Sequence, residues 1–261
     1  MTKLMGVVNV TPDSFSDGGL YLDPEAAIAH GRELAAAGAE ILDVGGESTR
    51  PGAEAVPGEE ELRRVVPVIE GLAAGESQIS IDTSKATVAA AALDAGAAIV
   101  NDVTALRGDG EMAALCAERG VTVVLMHMRG RPRTMQDDPR YDDVVAEVKA
   151  FLAERLEAAT AAGIAEERVW LDPGIGFGKT AAHNMELLRR LGELRDLGRP
   201  LVIGTSRKSF IGRVDGSAAG ERLGGTIASS VLAAAEGAEV LRVHDVAEVR
   251  QALTVASAIL G

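Results

Sequence analysis

Met5-Gly6-Val7-Val8-Asn9-Val10-Thr11-Pro12-Asp13-Ser14-Phe15-Ser16-Asp17-Gly18-Gly19 carries a short apolar run directly into a polar turn that ends in glycine. A run of this length, bounded by turn residues, reads as a buried strand from Met5 to Asn9. In an open doubly wound sheet, the turn after this first strand would hold the G-x-G-x-x-G spacing that cradles a dinucleotide. The stretch lacks that spacing, and Gly174-Ile175-Gly176-Phe177-Gly178 does not supply it later.

Seven further runs rich in Val, Ile and Leu follow: Ile41 to Asp43, Ile79 to Asp82, Ala98 to Asn101, Thr122 to Met126, Val169 to Leu171, Leu201 to Ile203, and Val240 to Val243. Each precedes an Ala, Leu, Glu and Arg stretch with helical spacing. Strands this apolar are buried on both faces, as in a parallel sheet covered by helices. Eight such units in 261 residues predict an α/β fold of the (βα)8 TIM-barrel type. No linker or composition shift divides the chain, so residues 1–261 are expected to form a single domain. Longer connections after the first, second, fifth and seventh strands read as lids or binding loops.

Composition narrows the function classes. With 47% hydrophobic and 25% charged residues the chain is globular. Its 26 basic against 39 acidic residues, net -13, with no basic and aromatic patch, argue against nucleic-acid binding. No apolar run approaches the roughly 18 residues of a membrane span, and Met1 to Thr11 does not resemble a signal peptide. The one cysteine, Cys116, cannot form an intramolecular disulfide and reads as a small buried hydrophobe on a helix. A cytoplasmic location is expected.

Functional groups of a barrel gather where its strands end. At or just after the predicted strand ends stand Asn9, Asp43, Asp82, Asn101, His127, Asp172, Ser206 with Arg207 and Lys208, and Arg242 with His244. Any one Asp or Asn there could simply cap a turn or helix, and Asp43 and Asp102 are open to that reading. Together the set restricts the chemistry. Asp43, Asp82 and Asp172 with two asparagines could hold a divalent metal or could receive the ring N–H groups of a flat heterocycle. Lys208, Arg242 and His244 add donors where barrels often hold phosphate, and they would stabilise an anionic leaving group. No H-E-x-x-H or cysteine cluster supports a zinc hydrolase. His127, in Met126-His127-Met128-Arg129-Gly130, reads as wall and loop geometry. Gly45-Gly46-Glu47-Ser48-Thr49-Arg50-Pro51-Gly52 reads as a loop suited to close backbone approach and movement.

These segments resemble the dihydropteroate synthase family. The Met5 to Gly19 segment is similar to its most distinctive signature. So are Asp43 to Gly52, Ser80-Ile81-Asp82-Thr83, Asn101-Asp102-Val103, Leu171 to Lys179, Ser206-Arg207-Lys208-Ser209 and Arg242-Val243-His244-Asp245. The resemblance runs from end to end. It implies a barrel that joins 6-hydroxymethyl-7,8-dihydropterin diphosphate to 4-aminobenzoate, with magnesium assisting and sulfonamides competing for the aminobenzoate site. By that resemblance Asp82, Asn101, Asp172 and Lys208 would bind the pterin, with Arg242 against the ring face. Asn9 would coordinate Mg2+, and Arg242, His244 and the first loop would hold the diphosphate. Thr49, Pro51, Phe177 and Ser209 would border the aminobenzoate, and Arg50 would help close the second loop. Asp82, Lys208, Arg242 and His244 are the expected catalytic set. A homodimer through late helices such as Leu223 to Ala235 is implied as well. Two rivals share the pterin contacts: a barrel passing a methyl group from methyltetrahydrofolate to a corrinoid protein, and an inactive pterin-binding paralogue. The first would need neither diphosphate nor aminobenzoate site, and the second would be expected to lack Asn9, Lys208 or the second loop.

Overall fold

The computed structural model describes residues 2–11, 23–49, 53–130 and 133–260. Eight strands alternate with helices: β1 (Lys3–Asn9), β2 (Ile41–Gly45), β3 (Gln78–Asp82), β4 (Ile99–Asp102), β5 (Thr122–Met126), β6 (Val169–Asp172), β7 (Val202–Ile203) and β8 (Val240–Val243). All ladders are parallel, in the order β6-β5-β4-β3-β2-β1-β8-β7, and a bridge between Leu171 and Leu201 joins the two ends. The sheet therefore closes into the expected barrel.

Strand bounds differ from the sequence reading by up to two residues, for local reasons. β1 begins at Lys3 because its N–H reaches the Glu239 carbonyl. β7 is short, and Leu201 contributes only the bridge, because its N–H is taken at 2.8 Å by the Glu239 carboxylate.

The outer ring is α1 (Pro24–Ala36), α2 (Gly58–Leu72), α3 (Ala86–Asp94), α4 (Met112–Arg119), α5 (Val144–Ala161), α6 (Ala181–Arg189), α7 (Ser209–Asp215), α8 (Leu223–Ala235) and α9 (Val246–Leu260). Capping residues set several starts. Asp23 accepts from Glu25 N–H ahead of Pro24, Asp143 accepts from Val145 and Ala146, and Thr180 forms a capping box with His183. Gly6 faces α1, where a Cβ would sit 3.1 Å from Leu34 and 3.3 Å from Ala39, so its bareness allows the helix to pack close. Cys116 is buried on α4, as expected, and burial pushes its thiol up to about 12.

The period of two along each strand divides the core. Leu4, Val8, Leu42, Val44, Ile81, Val100, Leu125, Leu171 and Leu241 pack outward against the helices. Met5, Ile41, Ile99, Val124, Val202 and Val240, with Trp170, form a separate plug inside the barrel. Two residues beyond each plug residue the chain again points inward, and there it places Asp43 after Ile41, Asn101 after Ile99, Asp172 after Trp170 and Arg242 after Val240. The polar layer thus sits on a dry apolar floor at the carboxyl ends of the strands.

Candidate active site

Arg242 is the centre of that polar layer. Its Nε donates to Asp43 Oδ2 at 2.6 Å and its Nη2 to Asp82 Oδ2 at 2.9 Å, while Asn101 Nδ2 donates to the same Asp43 oxygen at 3.1 Å. Asp43 is fully buried, and Asp82 nearly so. Burial works against the Arg242 charge, but the facing carboxylates of Asp43 and Asp82 outweigh it and hold its pKa above the usual guanidinium range. At Asp82 burial dominates. It raises the carboxyl to about 7, against the pull of Arg242 and with the added push of Asp43. Sequence reasoning placed Asp43 at a strand end but gave it no role in the assigned set. The structure makes it the residue that orients both Arg242 and Asn101. By occupying Nδ2 it leaves the Asn101 amide oxygen available as an acceptor.

Asp172, at the end of β6, accepts the Gly174 N–H at 2.6 Å. Burial raises its pKa, opposed first by the charge of Lys208. Lys208 directly precedes α7 and donates through its side chain to the Ile175 carbonyl, and its Nζ lies 4.7 Å from the centre of the Phe177 ring. Burial lowers this lysine to about 8, with Asp172 holding it up and Arg242 pushing it further down. Arg207, the residue before it, has a φ of 57° and bonds Asp245 through its guanidinium. Ser206 bonds both the N–H and Nδ1 of His244, at 3.2 and 3.0 Å. The β7 turn therefore orients Lys208 and His244 together.

Gly174 to Gly178 form a loop whose glycines all have positive φ, 66°, 86° and 61°. A Cβ on Gly174 would lie 1.9 Å from the His127 carbonyl, so only glycine fits. Phe177 stands half-buried on this loop beside Met126 and Met128.

Asn9 ends β1, half-buried and in register with Gly45. Thr49 is half-buried at the last described position before residue 50, and the base of its loop is tied down. Lys85 bonds Glu47 and Glu61, and Arg64 donates to the Gly46 carbonyl at 2.9 Å. Ser209 opens α7 on an exposed turn. Arg50 and Pro51, and the first loop from Pro12 to Gly19, lie outside the described residues. Asp102 faces outward from the barrel. It accepts from the Thr104 N–H and hydroxyl and from the Leu106 N–H, which makes it a loop cap. His127 is buried, and burial together with the neighbouring Lys179 charge holds it down to about 2, so its ring is neutral.

The donor set tests whether magnesium fits. Among the described residues no three His, Cys, Asp or Glu side chains form a metal cluster. Mg2+, however, needs only one or two protein oxygens when substrate phosphates and water complete its octahedron. The Asn9 amide oxygen at the mouth suits an ion of that kind, arriving with a diphosphate.

The family described as "Pterin binding enzyme" matches residues 5–244. A dihydropteroate synthase of Escherichia coli strain K12 is 50% identical over 259 residues, covering 99% of this chain and 92% of the relative. A Xanthomonas albilineans dihydropteroate synthase structure with 4-aminobenzoic acid has a TM-score of 0.94 at 53% identity, over 100% of this chain and 93% of that one. Another from the same organism, in complex with 7,8-dihydropteroate, has a TM-score of 0.90 at 50% identity, over 100% and 94%.

Proposed function

The chain belongs to the dihydropteroate synthase family of pterin-binding enzymes, and we propose from that membership how its own residues work. It is a transferase of folate biosynthesis that condenses 6-hydroxymethyl-7,8-dihydropterin diphosphate with 4-aminobenzoate to give 7,8-dihydropteroate and diphosphate. The observation that carries the residue assignment is the half-buried Arg242, held by Asp43 and Asp82 with Asn101 alongside, at the mouth where Asp172 ends β6 and Lys208 directly precedes α7.

Asp82, Asn101 and Asp172 bind the 2-amino and ring N–H edge of the pterin, and Lys208 donates to its ring carbonyl or nitrogen. Arg242, its plane fixed by two carboxylates, lies against the ring face. Arg242 and His244 hold the diphosphate as the bond between the pterin methylene and the diphosphate oxygen breaks. The electron pair leaves with the diphosphate, and Asp82 steadies the cationic methylene that remains. The arylamine nitrogen then attacks that carbon and afterwards releases its proton. No covalent enzyme intermediate is needed. Thr49, Phe177 and Ser209 border the aminobenzoate, and sulfonamides compete for the same place. Asn9 would hold Mg2+, which when bound adds positive charge beside the departing diphosphate.

The test is diphosphate release measured with and without 4-aminobenzoate and magnesium. Release that depends on the aminobenzoate, yields dihydropteroate, stops on chelation and returns with Mg2+ is the expected outcome. Pterin binding without turnover would overturn it.

A homodimer through α8 belongs to the same proposal. An apolar groove of about 530 Å³ lies between α6, α7 and α8, lined in part by Met185, Phe210, Val214 and Leu232. Val214 and Leu232, each 63% exposed, lie together with the exposed Met185 in this groove, a contiguous apolar patch of the kind a partner covers. Leu232→Glu is expected to convert a dimer to a monomer in sedimentation velocity at micromolar concentration. A wild-type chain that sediments only as a monomer would remove the assignment. We also place the chain in the cytoplasm. None of its described helices is long and apolar enough to cross a membrane, and its one thiol is buried. Cell fractionation that recovers it with an exported pool would contradict this.

A further inference from the structure

Lys179 is a buried cationic side chain to which the reaction as described assigns nothing. It is 3% exposed, and its Nζ lies 2.8 Å from His127 Nδ1, 2.9 Å from the Gly174 carbonyl and 3.0 Å from the Phe177 carbonyl. Burial pulls its pKa well down, and the nearby Asp172 charge opposes that. The geometry serves either protonation state. An ammonium donates to all three acceptors, whereas a free amine donates to the two carbonyls and accepts from a protonated Nδ1. Both carbonyls are anchored in each case.

The setting of those carbonyls gives the lysine its purpose. Along Gly174 to Gly178 every carbonyl meets a side-chain donor: Lys179 for Gly174, Lys208 for Ile175, Gln136 for Gly176, Lys179 again for Phe177, and Tyr141 for Gly178. A loop of glycines with positive φ has no regular ladder, so these donors decide its shape. The two ends of the loop are not equally dependent on Lys179. Gly174 is also held by its N–H to Asp172 and by the Phe177 N–H on its carbonyl. For the Phe177 carbonyl, Lys179 is the donor found among the described residues.

We propose that Lys179 is a positioning residue for the aminobenzoate side of the mouth: from behind the barrel wall it fixes the backbone of Phe177, and so the ring that Lys208 and the aminobenzoate both meet. The proposal rests on the reading of Phe177 as part of the aminobenzoate site. It assigns His127 the supporting role of third partner, its ring packed edge-on against Phe151 at 4.8 Å.

The test compares Lys179→Met and Phe177→Ala with the wild type, measuring KM for each substrate. In Lys179→Met the KM for 4-aminobenzoate is expected to rise about tenfold, the scale of one lost buried hydrogen bond, with the KM for the pterin diphosphate within about twofold. A general loosening of the fold would move both. Should Lys179→Met not fold, Lys179→Met with His127→Phe removes the ring nitrogen the methionine would strand, and the same split is expected. If Phe177→Ala raises the aminobenzoate KM but the lysine variants do not, the positioning role is wrong. If Phe177→Ala itself has no effect, the reading of Phe177 falls and the proposal with it.

Discussion

Asp82→Asn is expected to lower turnover by about a hundredfold or more, the cost of losing one preorganised charge at a developing cation, while leaving the fold at least as stable as before. The separation of the two effects follows from the raised pKa. Burial lifts the Asp82 carboxyl from 3.8 to about 7, so the folded state holds its proton more tightly than the unfolded chain does. The stability this gives is fully present below the unfolded value and is lost as pH rises through about 7. Above that pH the ionised carboxylate burdens the fold. Asparagine keeps the shape and carries no charge, and Arg242 retains Asp43. The melting temperature of the variant should therefore match or exceed that of the wild type at pH 8. The wild-type kcat/KM should fall as pH drops through about 7 and Asp82 takes up its proton, a limb absent from the variant. An alkaline limb near 8, where Lys208 loses its proton, should persist in both. Near wild-type turnover in Asp82→Asn would remove Asp82 from the catalytic set.

Much of this site is legible in the chain because the barrel is periodic. Inward positions alternate along a strand, so Asp172, two residues after Trp170, and Arg242, two after Val240, share one face with the apolar floor and stand one layer above it. Residue type alone cannot separate Asp43 from Asp82. Both are aspartates near strand ends that bond the same guanidinium, and only the Asn101 amide, which reaches Asp43 from 58 residues away, makes one a brace and leaves the other a contact. Asp102 shows the converse. It directly follows Asn101, and the half-turn between neighbours in a strand sends it outward to cap a loop. Lys179 was hidden for a different reason. In the Leu171 to Lys179 segment it carries no role of its own, and its burial depends on His127 just beyond β5 and on glycine φ angles that no side-chain pattern encodes. The loop insertion after β2 was visible as composition. What holds its base, Lys85 between Glu47 and Glu61, is again long-range.

Arg242→Met should have the largest combined effect. Methionine fills much of the arginine stem's volume but leaves Asp43 and Asp82, with side chains 0% and 10% exposed, without the cation that bonds both. Removing one partner of a buried ion pair costs about 3–5 kcal/mol, because the remaining charge stays buried and uncompensated. Turnover should fall by about a thousandfold, since the same residue lies against the ring and holds the leaving diphosphate. The stability loss has a definite pH signature. Arg242 is the main influence holding the Asp82 pKa down, so without it that pKa lies above about 7. The folded variant then binds its proton more tightly still. Its stability deficit should be greatest in alkaline solution and shrink as pH falls and the carboxyl becomes neutral. Adding Asp82→Asn to Arg242→Met should restore part of the stability at pH 8 and none of the turnover. A melting-temperature gap between wild type and Arg242→Met that stays constant from pH 5 to pH 9 would show that lost packing, and not a stranded buried charge, is what the substitution costs.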